Sequence, residues 1–230
     1  MSLDGTTANC ALEDYPSKLT HPNAVTYTNG EVLACGGGYA LEDADRCWRF
    51  NGTTWSPLPV SNERHCWYDS PNVVINDGWW VTGRLQDIDY GCTNLSTSEV
   101  YTGNAWIPGP ALPEDVHLWY SCVVNLNSTH TFLLGGGDPG RNDVWLYDWS
   151  SQAWTRTGSP NQGRYWPGCV TLGDLGILVA GGKYDGSDNV YTVELYDPVQ
   201  GTWSSQPDLP AGINPMYPLL LNWDDQVLAL

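Results

Sequence analysis

The chain has 230 residues, with 26 acidic against 9 basic side chains and a formal net charge of −17. Nucleic-acid phosphates demand a basic surface, so that charge argues firmly against nucleic acid as a partner. No apolar run approaches the ~20 residues of a membrane-spanning helix, and 25 Gly, 16 Pro and 13 Trp beside 2 Met suit short strands and tight turns.

Met1-Ser-Leu has neither a charged n-region nor an apolar h-region, so no signal peptide is expected at this start. Residues 9–15 read as the last strand of an earlier unit. Strands are then expected at 24–27, 31–35, 46–50 and 54–56, followed by 72–75, 79–82, 98–101 and 105–107. A third set is expected at 121–125, 131–134, 144–147 and 153–156, and a fourth at 168–171, 176–180, 192–196 and 202–204. Residues 216–230 read as the first two strands of a later unit, and no helical periodicity intervenes. The division expected is one continuous domain, 1–230. It holds a partial unit 1–15, complete units 16–60, 61–110, 111–160 and 161–210, and a partial unit 211–230.

These units repeat. Trp55, Trp106, Trp154 and Trp203 are spaced by 51, 48 and 49 residues, each preceded five or seven positions earlier by Phe50, Tyr101, Tyr147 or Tyr196. Each unit also has an apolar strand running into glycine: 32–38, 79–83, 132–137 and 177–182. The second departs, with Thr82-Gly83-Arg84 in place of a glycine pair. A period of ~50 residues with Gly-Gly, Tyr and Trp in phase resembles the kelch motif, one four-stranded antiparallel blade of a β-propeller per repeat. The fold class expected is therefore all-β, a kelch-type β-propeller of four complete blades with partial blades at both ends. Propellers of this kind usually have six or seven blades, which favours a piece of a longer ring over a closed five-bladed one. The resemblance implies that the first strand of each blade lines a central channel and the fourth faces outward. It also implies that the loop after the glycines and the link to the next blade emerge on one face.

Seven cysteines are an odd count. Cys35 and Cys47 end and begin neighbouring strands and are expected to bridge; Cys66 and Cys92 flank one face of the second blade and are expected to do the same. Cys122 and Cys169 occupy equivalent first-strand positions and are expected to stay unpaired as small buried hydrophobes. Cys10 is left over. No C-x-x-C or clustered His/Cys spacing points to a metal. Three sequons, at Asn51, Asn94 and Asn127, fall in turns or loops where a glycan could sit. Disulfides and sequons together place the protein outside the cell.

Two features of the expected loop face concern function. The loops after the glycines carry Glu42, Asp43, Asp45, Asp87, Asp89, Asp138, Asp143, Asp185 and Asp188, partly offset by Arg46, Arg84, Arg141 and Lys183. A cationic partner suits them; calcium is an option, though no loop has a recognised calcium spacing. The links between blades repeat a basic or imidazole group followed by aromatics: Arg64, His65, Trp67 and Tyr68; His117, Trp119 and Tyr120; Arg164, Tyr165 and Trp166. Converging at a channel mouth, they would bind a protein or a sugar; the competing reading is that they pack between blades.

Catalysis is not expected. Copper radical oxidases similar to galactose oxidase use such a propeller, with two Tyr, two His and a Cys cross-linked to one Tyr. Here His21, His65, His117 and His130 form no recognisable copper motif, and no nucleophile elbow, zinc motif or phosphate loop occurs. The sequence thus points to a secreted, non-catalytic, cofactor-free module that binds a protein or glycan. The alternatives are a structural subunit of an extracellular assembly, including self-assembly, and a piece of a copper radical oxidase.

Overall fold

A computed structural model describes residues 14, 16, 23–35, 45–62, 72–82, 97–113, 116, 118, 120–137, 139–186, 188–223 and 226–229. Among the described residues, four antiparallel meanders of four strands, one of two and a 3-10 turn at Gly173–Leu175 make up the regular structure. Blade 1 comprises β1 (Asn23–Thr26), β2 (Val32–Cys35), β3 (Cys47–Phe50) and β4 (Trp55–Pro57). Blade 2 comprises β5 (Asn72–Ile75), β6 (Gly78–Thr82), β7 (Ser98–Tyr101) and β8 (Trp106–Pro108). Blade 3 comprises β9 (Cys122–Asn125), β10 (His130–Leu134), β11 (Val144–Asp148) and β12 (Ala153–Arg156). Blade 4 comprises β13 (Gly168–Thr171), β14 (Ile177–Ala180), β15 (Val193–Asp197) and β16 (Thr202–Gln206). The strands β17 (Leu220–Trp223) and β18 (Gln226–Ala229) form a two-stranded sheet after it. The expected blade architecture is therefore present, with the last two strands where residues 216–230 place them. The expected strand at 9–15 lies outside the described residues apart from Asp14, which is exposed and in no strand.

The first strands of successive blades stand side by side, in the order β1, β5, β9, β13, β17. Because side chains alternate across a strand, each inner strand feeds two interfaces. Val74 of β5 packs toward blade 1 with Trp79, while Val73 packs toward blade 3 with Trp80. This explains the adjacent tryptophans of β6: Trp79 is 0% and Trp80 1% exposed, on opposite faces of a sheet that is covered on both. Between blades 3 and 4 the core is Phe132, Leu134, Ile177, Val179 and Tyr196. Polar links stitch the inner strands together near their C-terminal ends. Asn125 Nδ2 donates to Val74 O (2.6 Å), Thr171 Oγ1 to Asn125 O (2.5 Å) and Asn222 Nδ2 to Thr171 O (3.3 Å).

The repeated aromatic pair is a cross-strand pair in every blade. Phe50 faces Trp55, Tyr101 faces Trp106, Tyr147 faces Trp154 and Tyr196 faces Trp203, with ring centroids 4.9–5.3 Å apart. Three of these indoles also latch onto the blade before. Trp106 Nε1 donates to Pro59 O, Trp154 Nε1 to Ala111 O (both 2.8 Å) and Trp203 Nε1 to Gly158 O (2.7 Å). Trp154→Phe keeps an aromatic ring and removes the donor. It should lower stability by about 1 kcal/mol, seen as a fall of ~2–4 °C in Tm.

Cys35 and Cys47 are directly opposite in β2 and β3 and form a disulfide, as expected. Cys122 and Cys169 also form one, with Cα atoms 6.2 Å apart, which overturns their expected free state. The reason is a one-residue offset. Cys122 opens β9 opposite Leu134, whereas Gly168 holds that place in β13, opposite Ala180. A step of one residue turns a strand side chain to the other face. Cys122 therefore points forward to blade 4 and Cys169 back to blade 3, and both join the core between them. Cys10, Cys66 and Cys92 lie outside the described residues.

Candidate aromatic site at the channel mouth

The links into blades 3 and 4 and into β17 turn at Tyr120, Trp166 and Tyr217, all in left-handed backbone with φ of 60°, 59° and 52°. That conformation disfavours a residue with a Cβ by roughly 1–2 kcal/mol. A circuit of backbone hydrogen bonds offsets it: Trp166 N–H donates to Tyr120 O (2.9 Å) and Tyr217 N–H to Trp166 O (3.0 Å). The circuit aligns the three corners and gathers their side chains. Ring centroids lie 4.4 Å apart for Tyr120 and Trp166, 5.0 Å for Trp166 and Tyr217 and 6.5 Å for Tyr120 and Tyr217. Within this trio the two contacts of Tyr120 are edge-on, which suits ring quadrupoles, and that of Trp166 with Tyr217 is tilted. Tyr217 is 46% exposed.

The glycine pair explains how the links approach so closely. A Cβ on Gly182 would sit 2.6 Å from Tyr165 O, and one on Gly181 would collide with Pro215 O; both residues have positive φ. The pair therefore admits the preceding link on one side and the following link on the other. Gly182 N–H donates to Pro215 O (2.5 Å), and Tyr165 and Lys183 exchange two backbone bonds of 2.7 Å. Lys183 Nζ reaches to 5.8 Å from the Trp166 ring and donates to Gly186 O (3.1 Å). The expected sharing of one face by glycine loops and links holds for blade 4, and for blade 3 through the bridge of Arg141 with Arg164.

Arg164 and Tyr165, expected at the binding surface, are instead buried, at 0% and 3% exposure. Arg164 Nη2 donates to Glu194 Oε2 (2.5 Å) and Thr192 Oγ1 (3.1 Å), while Nη1 donates to Gly181 O (3.0 Å) and Thr192 O (2.9 Å). Burial pulls this guanidinium below its ordinary pKa, and the Glu194 charge opposes that pull. The other oxygen of Glu194 accepts from Asn161 N (2.8 Å) and Nδ2 (3.0 Å). Blade 2 repeats the clamp: Glu99 Oε1 accepts from Asn62 N (3.2 Å) and Nδ2 (2.7 Å). These groups fix the link from inside, and Arg164 lies two residues before Trp166.

Of the remaining expected site residues, Tyr120 and Trp166 are brought together, while Arg64, His65, Trp67, Tyr68, His117 and Trp119 lie outside the described residues. Tyr217, Glu99 and Glu194 were not singled out in the sequence. The signals were there: Tyr217 precedes Pro218 as Trp166 precedes Pro167, and Ser98-Glu99-Val100-Tyr101 parallels Val193-Glu194-Leu195-Tyr196. Among the acidic loop residues, Asp143 is neutralised by Arg141 (3.4 Å) and by Arg156, and Asp185 and Asp188 are exposed. Asp45 is half-buried. Glu42, Asp43, Asp87, Asp89 and Asp138 lie outside the described residues, as do Arg84 and Asn94. Among the described residues no three His, Cys, Asp or Glu side chains converge as a metal set.

The Kelch motif family matches residues 168–210, which span β13 to β16. The chain is 28% identical over 126 residues to Kelch-like protein 35 of Homo sapiens, covering 54% of this chain and 21% of that protein. It is 28% identical over 108 residues to the F-box/kelch-repeat protein At2g44130 of Arabidopsis thaliana, covering 44% and 26% respectively. Against Kelch-like protein 24 of Homo sapiens the identity is 34% over 110 residues, covering 46% and 17%. The chain thus spans about a quarter or less of the length of these relatives. The solved structure of YjhT shares the fold, with a TM-score of 0.68 at 12% identity, covering 87% of this chain and 68% of that one. The blade repeat, the Kelch motif at residues 168–210 and these likenesses together make the fold a kelch-type β-propeller.

Proposed function

We propose that this propeller is a non-catalytic binding module whose partner, a protein or a glycan, sits on the aromatic mouth formed by Tyr120, Trp166 and Tyr217. The observation that carries this reading is the gathering of three aromatic side chains from three successive corners within 4.4–6.5 Å. Tyr and Trp offer large contact area at small entropic loss, which is why such residues dominate binding hot spots. Protein binding is also the general role of kelch repeats. The two disulfides support a place outside the cytosol; mapping thiols in the naturally produced protein tests that. Linked Cys35–Cys47 and Cys122–Cys169 peptides are expected, and free thiols at all four would overturn the extracellular reading.

The site itself is tested by screening peptide and glycan arrays with the wild-type chain, Trp166→Ala and Tyr217→Ala. Partners should lose about 2 kcal/mol or more of binding with either variant if these are anchors. Tyr217 is partly exposed, so its loss should leave Tm nearly unchanged. Partners held equally well by both variants would remove the site from the mouth.

A further inference from the structure

The face opposite the aromatic mouth carries the turns between first and second strands and between third and fourth strands. There, between blades 3 and 4, a cleft of about 690 Å³ is lined by Asn127, His130, Leu146, Asp174, Pro198 and Val199, among others. Its size falls in the ~300–1,000 Å³ range of small-ligand sites. Part of its wall is apolar, through Leu126, Leu146, Pro198 and Val199, and Val199 is 91% exposed.

Asn127 begins the sequon Asn127-Ser128-Thr129, and all three residues are exposed. Its Oδ1 accepts from Thr129 N (2.9 Å), Thr129 Oγ1 (3.0 Å) and His130 N (2.8 Å). Three donors polarise the amide oxygen, one of them the sequon hydroxyl, while Nδ2 has no acceptor among the described residues. In the sequon at Asn51, by contrast, Oδ1 accepts from Thr53 N (3.0 Å) and Thr54 N (2.9 Å), two backbone donors.

We propose that Asn127 carries an N-linked oligosaccharide whose first sugars lie in the cleft between blades 3 and 4. This rests on the extracellular reading above. In the attachment, Asn127 Nδ2 forms the bond to C1 of a sugar carried on a polyprenyl diphosphate. The C1–oxygen bond to the diphosphate breaks, that group leaves with the bonding pair, and Nδ2 gives up one proton to the transferase. An N-acetylhexosamine presents ring C–H groups and an acetamide methyl on one side and hydroxyls at its edge. Leu146, Pro198 and Val199 match the first, and His130 and Asp174 match the second. A glycan on this face leaves the aromatic mouth open.

The test is to secrete the chain from eukaryotic cells behind a cleavable leader, so that it meets the transferase whatever its natural address. Glycopeptide mass spectrometry should find N-acetylhexosamine on the Asn127 peptide. It should vanish in Asn127→Gln and Thr129→Ala and persist in Thr129→Ser. An unmodified Asn127 in the folded, secreted chain overturns the site. For the seating, glycan release by an amidase should be about tenfold slower from native than from denatured protein, as ~1.4 kcal/mol on the barrier gives. Val199→Arg should abolish that protection. Equal rates overturn the seating. A glycosylated Asn127 here beside free thiols in the natural protein would overturn the extracellular reading and leave the site's competence standing.

Discussion

Arg164→Ala should destabilise the propeller by about 3–5 kcal/mol, the usual effect of stranding one partner of a buried ion pair. Arg164 is fully buried and anchors Gly181, Thr192 and Glu194 at once. Its loss leaves the Glu194 carboxylate, 2% exposed, held by Asn161 alone. Equilibrium denaturation measures the effect. The double variant Arg164→Met with Glu194→Leu should recover part of the loss, since it removes the stranded charge. A single-variant loss below about 1 kcal/mol would show that solvent reaches the carboxylate and that the link is fixed by its backbone bonds instead. Array partners that need Trp166 should also weaken in Arg164→Ala, because this guanidinium sets the corner two residues before the indole.

Removing the bridge between blades should be comparable in size. Cys122→Ala with Cys169→Ala frees a loop of sequence separation 47, worth about 4 kcal/mol of unfolded-state entropy. The Cys35–Cys47 bridge closes a separation of 12, worth about 3 kcal/mol on the same scale. Denaturation of the two double-alanine variants under non-reducing conditions should rank them in that order. The reverse ranking would mean that the two alanines introduced between blades 3 and 4 repack the space beside Phe132 and Val179 well enough to compensate.

Most of the fold was legible because each blade repeats one pattern. Apolar runs that stop at glycine, followed by a Tyr or Phe strand and a Trp strand, have one reading when they recur every ~50 residues. What stayed hidden depended on register and depth. Whether two inner-strand cysteines meet turns on a single-residue offset that the spacing of the tryptophans does not encode. Arg164 looks like a surface cation in sequence; its burial follows from Glu194, thirty positions later, on a strand whose equivalent residue is Trp48 in blade 1 and Trp145 in blade 3. Tyr217 was hidden for another reason. Its segment carries the apolar signature of the strand that follows, and the left-handed corner before that strand is defined by backbone bonds among the corners rather than by the local sequence alone.

The covalent tie between blades 3 and 4 has a mechanical consequence. Blades hold only their neighbours, so tension on the C-terminal side peels β18 and β17 first and then works inward through blade 4. At Cys169 the unravelling meets a bolt, and force passes through sulfur to Cys122 without drawing out the strands between them. Of the contour that an unbridged chain would release, the 47-residue stretch stays stowed, about 160 Å at full extension. Under load the propeller is therefore a shorter and stiffer tether in an oxidising medium than in a reducing one.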